Sequence, residues 1–119
     1  MTVERLQQLV AEFAARREWE RFHTPKNLVM ALTGEVGELS ELFQWLTAEE
    51  SSAVCEDDGR RKRVEEEVAD VFIYLLRLVD VLGIDLGAAV EEKLRKNEER
   101  YPVAAVKGRA VKYTELHRP

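Results

Sequence analysis

Glu35 and Glu38 stand three residues apart in "GEVGELSELFQW", residues 34–45, and Glu67 and Asp70 repeat that spacing in "EEEVADVFIYLL", residues 65–76. On a helix such a pair lies about 60° apart and shares one face. Leu28, Leu32, Leu39, Leu42 and Leu46 form an apolar seam, and Glu35 fills the gap in it. Acids are almost never buried unless paired. If the two helices face each other, four carboxylates converge, repelling by several kcal/mol at an effective dielectric near ~20. They must then take up protons or gather round a cation. Oxygen-only donors select hard ions, Mg²⁺ or in its place Mn²⁺, and Mg²⁺ favours phosphate oxygens as its other ligands. The plainer reading leaves these acids on solvated, salt-bridged faces. The buried register of Glu35 and the recurrence of the pair speak against it. Glu41, one turn beyond Glu38, is a candidate for the outer shell of the ion or for general base, a role Glu38 could also take.

The elements that must position these groups are helical. Thr2 caps a first helix running to about Glu20, with the stripe Leu6, Leu9, Val10 and Phe13. Thr24 and Pro25 open a second, to about Leu46. A polar linker with room for a short helical turn leads to a third helix, about Arg61 to Leu82, with the seam Val64, Val68, Val71, Leu75, Leu78 and Leu82. Tyr74 and Arg77 continue its acidic stripe, and Gly83 stops it. Asp85 caps a fourth helix, to about Arg100, and Pro102 ends it. No strand is expected. The fold class is therefore all-α, an antiparallel bundle of about four helices in one domain spanning 1–119, with its core in 3–102 and an arm over 103–119.

On the fourth helix Leu86, Val90, Lys93, Asn97 and Tyr101 share a seam, with Arg100 adjacent. Either Lys93 lays its stem along apolar neighbours, or Lys93, Asn97 and Arg100 donate to phosphate oxygens. Gly34 and Gly37 inside the second helix cost about 1 kcal/mol each. They allow either close helix approach or clearance for a ligand. Trp19, Phe22, His23 and Trp45 read as core aromatics or as stacking surfaces for a planar base. His23 has no Cys or His partner at metal spacing, since His117 lies in the tail, and reads as a loop or capping residue.

Composition narrows the classes. The net charge of −5, with 34 % charged residues, argues against a nucleic-acid polymer as partner. The lone Cys55 fits a reducing, cytoplasmic setting. "MTVERLQQLV" lacks the apolar stretch of a signal peptide, and "VFIYLLRLVDVLGI" is interrupted by Arg77 and Asp80 and too short to span a membrane. No Glu-x-x-His pair, P-loop or Gly-x-Ser-x-Gly elbow occurs.

"GEVGELSELFQW", "EEVADVFIYLLRLVDVLGIDL" and "KLRKNEERYP" together resemble the MazG-like, all-α nucleotide pyrophosphohydrolases, nearest the dCTP pyrophosphatase branch, over roughly Leu6 to Pro102. The resemblance implies that Glu35, Glu38, Glu67 and Asp70 hold Mg²⁺. It implies that Lys93 and Asn97, with Arg100 and Tyr101, meet the triphosphate, and that Trp19, Trp45 and Tyr74 surround the nucleotide; His23 joins this substrate-binding set. It further implies hydrolysis of nucleoside triphosphates to monophosphate and pyrophosphate, a house-cleaning role in the nucleotide pool, and a homodimer or tetramer with shared sites. The animal dCTP enzymes carry a histidine where this chain has Val10, a departure that bears on base preference and leaves the metal chemistry untouched. Two alternatives stay open: a non-catalytic helical nucleotide-binding or regulatory oligomer, and a phosphoribosyl-ATP pyrophosphohydrolase.

Overall fold

The computed structural model describes residues 1–116; His117 and the two residues after it lie outside the described residues. All regular structure among the described residues is helical: α1 (Val3–Arg16), α2 (Pro25–Glu41), α3 (Ala48–Ser52), α4 (Asp58–Leu82), α5 (Leu86–Arg100), α6 (Val103–Val106) and α7 (Tyr113–Leu116), with 3₁₀ turns at Glu20–Phe22 and Val54–Glu56. No described helix is long and apolar enough to cross a membrane.

The chain forms two compact units, one from Met1 to Gly83 and one from Ile84 onward. In the first, α4 is central, packing against α1 and α2. Its core is small: Ala14, Leu28, Val54, Leu76 and Val79 are buried, and Leu28 and Leu76 are fully so. Leu76 and Val79 lie off the seam expected for this helix, whose Val68 and Leu82 are instead about half exposed. A helix covered from two sides buries a broader arc than one stripe. The second unit carries α5, capped by the Asp85 carboxylate, which accepts from the Ala88 N–H at 3.0 Å.

The end signals read from the sequence operate as expected. Thr2 and Thr24 accept from the N–H groups of Arg5 and Asn27, at 3.0 and 3.2 Å. Gly83 closes α4 in the left-handed conformation, φ 67°, which only glycine adopts without a Cβ penalty. Three helix boundaries differ from expectation. The first helix stops at Arg16, four residues before the expected Glu20. There Glu18 takes a left-handed φ of 54°. The Glu18 N–H donates to Ala15 O at 3.0 Å and the Trp19 N–H to Ala14 O at 3.0 Å, the paired bonds of a Schellman closure. The second helix ends at Glu41, not Leu46, because Thr47 starts a reciprocal capping box with Glu50 at the head of α3. An N-cap needs extended backbone, so the preceding helix must release the chain. The α4 helix opens three residues early, because Asp57 accepts from the Arg60 N–H at 2.9 Å.

A Cβ placed on Gly34 or Gly37 would meet nothing within 4 Å. Within this chain the two glycines thus serve no close helix approach.

Candidate functional site

Packing of α2 on α4 brings the two acidic pairs together. One carboxylate oxygen from each of Glu35, Glu38 and Glu67 lies within 4.8 Å of the others, a group able to hold a metal ion. Glu35 Oε2 and Glu67 Oε2 are shielded from solvent and have no hydrogen-bond partner. Such orphaned acceptors are rare in folded proteins and call for a proton or a cation. Asp70 flanks the group: its charge acts on both Glu35 and Glu67.

The electrostatics follow. Glu35 is pushed up from 4.5 to about 7, first by removal from water, then by Glu38 beside it, then by the charges of Asp70 and Glu67. Glu67 is raised for the same leading reason, with Glu38 its next strongest neighbour. Without a cation, Glu35 keeps its proton to a higher pH than an ordinary carboxyl.

A cavity of about 240 Å³ opens beside the acids. Glu35 and Asp70 stand on its wall, with Val10, Phe13 and Ala14 from α1, Trp19 and His23 from the α1–α2 connection, and Ile73, Tyr74 and Arg77 from α4. The Schellman closure at Glu18 turns the chain so that Trp19 meets Phe13 edge-on, centroids 5.8 Å apart at 72°, and His23 at 6.4 Å and 69°. Apolar and aromatic walls with few polar groups suit a planar organic ring.

Of the residues singled out in the sequence, Glu35, Asp70, Trp19, His23 and Tyr74 share this cavity. Glu41 and Trp45 do not. They line a second hollow of about 440 Å³ with Arg60 and Arg63, where Trp45 is 86 % exposed. Lys93, Asn97 and Arg100 sit on α5 in the second unit, with Tyr101 as its C-cap, donating its N–H to Asn97 O at 2.8 Å.

The sequence did not announce what Arg77 does. Although 8 % exposed, it donates from Nε to His23 Nδ1 and from Nη1 to Asp80 Oδ2, both at 3.0 Å. Asp80 Oδ1 in turn accepts from Gln7 Nε2 on α1 at 3.2 Å. Its position on the acidic stripe was visible; its partner, 54 residues away, was not.

Comparison with known proteins places this geometry. A family model described as MazG-like matches residues 31–116. The chain is 48% identical over 117 residues to dCTP pyrophosphatase 1 of Rattus norvegicus, covering 98% of this chain and 69% of that one. Against dCTP pyrophosphatase 1 of Homo sapiens it is 47% identical over 115 residues, covering 97% and 68%. A crystal structure of a pyrophosphatase from Archaeoglobus fulgidus superposes with a TM-score of 0.77 at 47% identity, covering 83% of this chain and 91% of that one. With this chain covered nearly end to end by two curated relatives and a family model spanning both acidic pairs, the chain belongs to the MazG-like family.

Proposed function

We propose that this protein is a nucleoside triphosphate pyrophosphohydrolase, releasing pyrophosphate and a nucleoside monophosphate, with dCTP or a modified dCTP favoured and nucleotide-pool house-cleaning as its role. One observation carries the reading: a cluster of three carboxylates, two with orphaned buried oxygens, borders an aromatic-walled cavity. The similarity to dCTP pyrophosphatase 1 supports the substrate class.

Glu35, Glu38, Glu67 and Asp70 are the residues that would hold Mg²⁺, and the orphaned oxygens suit a hard cation. When bound, the ion activates water for attack and offsets charge on the departing pyrophosphate. The protein supplies the rest. Glu38 is exposed at the rim of the cluster and accepts the proton of the attacking water. Glu41, the alternative base, lines the second hollow with Arg60 and Arg63. Trp19 and Tyr74 flank the base in the cavity. Lys93, Asn97, Arg100 and Tyr101, on α5 and at its end, serve as triphosphate partners.

An oligomer of antiparallel bundles, dimer or tetramer, completes the reading. Met30 is 67 % exposed and Trp45 86 %, apolar surface that a second copy would cover. A cytoplasmic location suits the free thiol of Cys55.

The test is pyrophosphate release from a panel of dCTP, 5-substituted dCTP, dUTP, dTTP, ITP and phosphoribosyl-ATP with Mg²⁺. The proposal expects dCTP or its 5-substituted form to lead. Release from phosphoribosyl-ATP alone points to that hydrolase instead, and release from none to a non-catalytic binding module.

A further inference from the structure

The cavity contains a histidine whose ring orientation is not left to chance. His23 ends the 3₁₀ turn Glu20–Phe22, its N–H donating to Glu20 O at 3.1 Å. Its ring is packed edge-on against Trp19 and takes a hydrogen bond on Nδ1 from Arg77 Nε. An arginine can only donate. Nδ1 must therefore be the unprotonated nitrogen, and in neutral His23 the hydrogen sits on Nε2.

Arg77 is itself held. Its guanidinium is buried, and Asp80, three residues on, supplies the opposite charge. Gln7 fixes the second oxygen of Asp80 from α1. A run of hydrogen bonds thus links α1, α4 and the α1–α2 connection and ends at His23. Satisfied networks of this kind make rigid supports. Burial first, then the Arg77 charge, hold the His23 pKa below its ordinary value, so the neutral ring persists at neutral pH.

From these contacts we infer that Arg77 is a positioning residue that fixes His23 as its Nε2–H tautomer, and that His23 thereby offers one hydrogen-bond donor to an acceptor atom on the pyrimidine ring of the nucleotide. The inference rests on the hydrolase reading for the identity of the ligand. The cavity favours a ring acceptor over a phosphate oxygen. Phe13, Trp19 and Ile73 give it apolar walls, while Glu35 and Asp70 repel unscreened phosphate. A single fixed donor there rejects ligands that present a donor at the same place, because two donors would face each other unpaired.

The experiment is long-range ¹H–¹⁵N NMR on histidine-labelled protein at pH 7.5, with His117→Gln to assign the two histidines. The wild type is expected to show His23 with protonated Nε2 and unprotonated Nδ1. Adding dCMP with Mg²⁺ should shift the His23 Nε2 signals, and adding pyrophosphate with Mg²⁺ should not. In Arg77→Met the two tautomers should mix, and KM for dCTP should rise about three- to tenfold with a smaller change in kcat. Arg77→Lys, which cannot reach both His23 and Asp80 with a planar fork, should restore little. A wild-type His23 with its proton on Nδ1 overturns the inference without any variant. So does a response to pyrophosphate but not to dCMP. If no triphosphate is hydrolysed while dCMP still moves Nε2, the hydrolase reading fails and this one stands.

Discussion

Glu35 on α2 and Glu67 on α4 each bury one carboxylate oxygen that accepts no hydrogen bond, and the two side chains meet with Glu38 inside 4.8 Å. Two helices whose apolar residues pack together have carried charge into their own contact. That arrangement is costly without a proton or a cation among the acids, and a divalent ion would relieve it. The cost and the use both lead to measurable outcomes.

The first concerns pH. A carboxyl whose folded-state pKa is raised stabilises the fold fully below its ordinary value of 4.5 and loses that contribution as pH rises through about 7. Other groups titrate as well, so the comparison is with Glu35→Gln. In metal-free buffer, the Tm of the wild type relative to Glu35→Gln is expected to fall by several degrees between pH 4.5 and 7. At pH 7.5, saturating Mg²⁺ should raise the wild-type Tm and leave that of Glu35→Gln nearly unchanged. Thermal melts across pH, with and without Mg²⁺, check both statements.

The second concerns the cavity wall. Val10, where the resemblance to the animal dCTP enzymes implies a histidine, lines the cavity beside Phe13 and Trp19. Val10→His adds a polar ring edge without touching the acids. The kcat/KM ratio of dCTP to dTTP is expected to rise about three- to tenfold, with the Mg²⁺ requirement unaltered. Competing-substrate assays measure the ratio.

The third concerns backbone strain. Glu18 holds a left-handed φ of 54° where α1 closes, a conformation that costs an L-residue about 1 kcal/mol or more. Glu18→Gly removes that penalty while keeping the Schellman bonds to Ala14 and Ala15. Urea unfolding should show a gain of about 1 kcal/mol at unchanged m-value.

Much of the fold was legible because its signals are local. Thr2, Thr24, Pro25, Gly83 and Asp85 act through neighbours within a few residues, and each does what its type and spacing imply. The acidic pairs were legible because a carboxylate in an apolar register is anomalous wherever it occurs. Other features were hidden for physical reasons. Glu18 carries no mark of a left-handed residue, so the sequence alone reads as helix to about Glu20. The capping box of Thr47 and Glu50 was in plain view, yet the leucine seam through Leu46 outweighed it. The partnership of Arg77 with His23 joins residues 54 apart; it depends on how α4 packs, which no local pattern encodes.

The most direct measurement is pyrophosphate release from dCTP by the wild type and by Glu67→Gln, titrated with Mg²⁺ and with helical content monitored by circular dichroism. Release by the wild type should stop on chelation and return with Mg²⁺. Glu67→Gln, still helical, should lose more than the ~10–100-fold that removal of an outer partner of a metal site costs. Wild-type turnover in Glu67→Gln, or turnover indifferent to chelation, would contradict it.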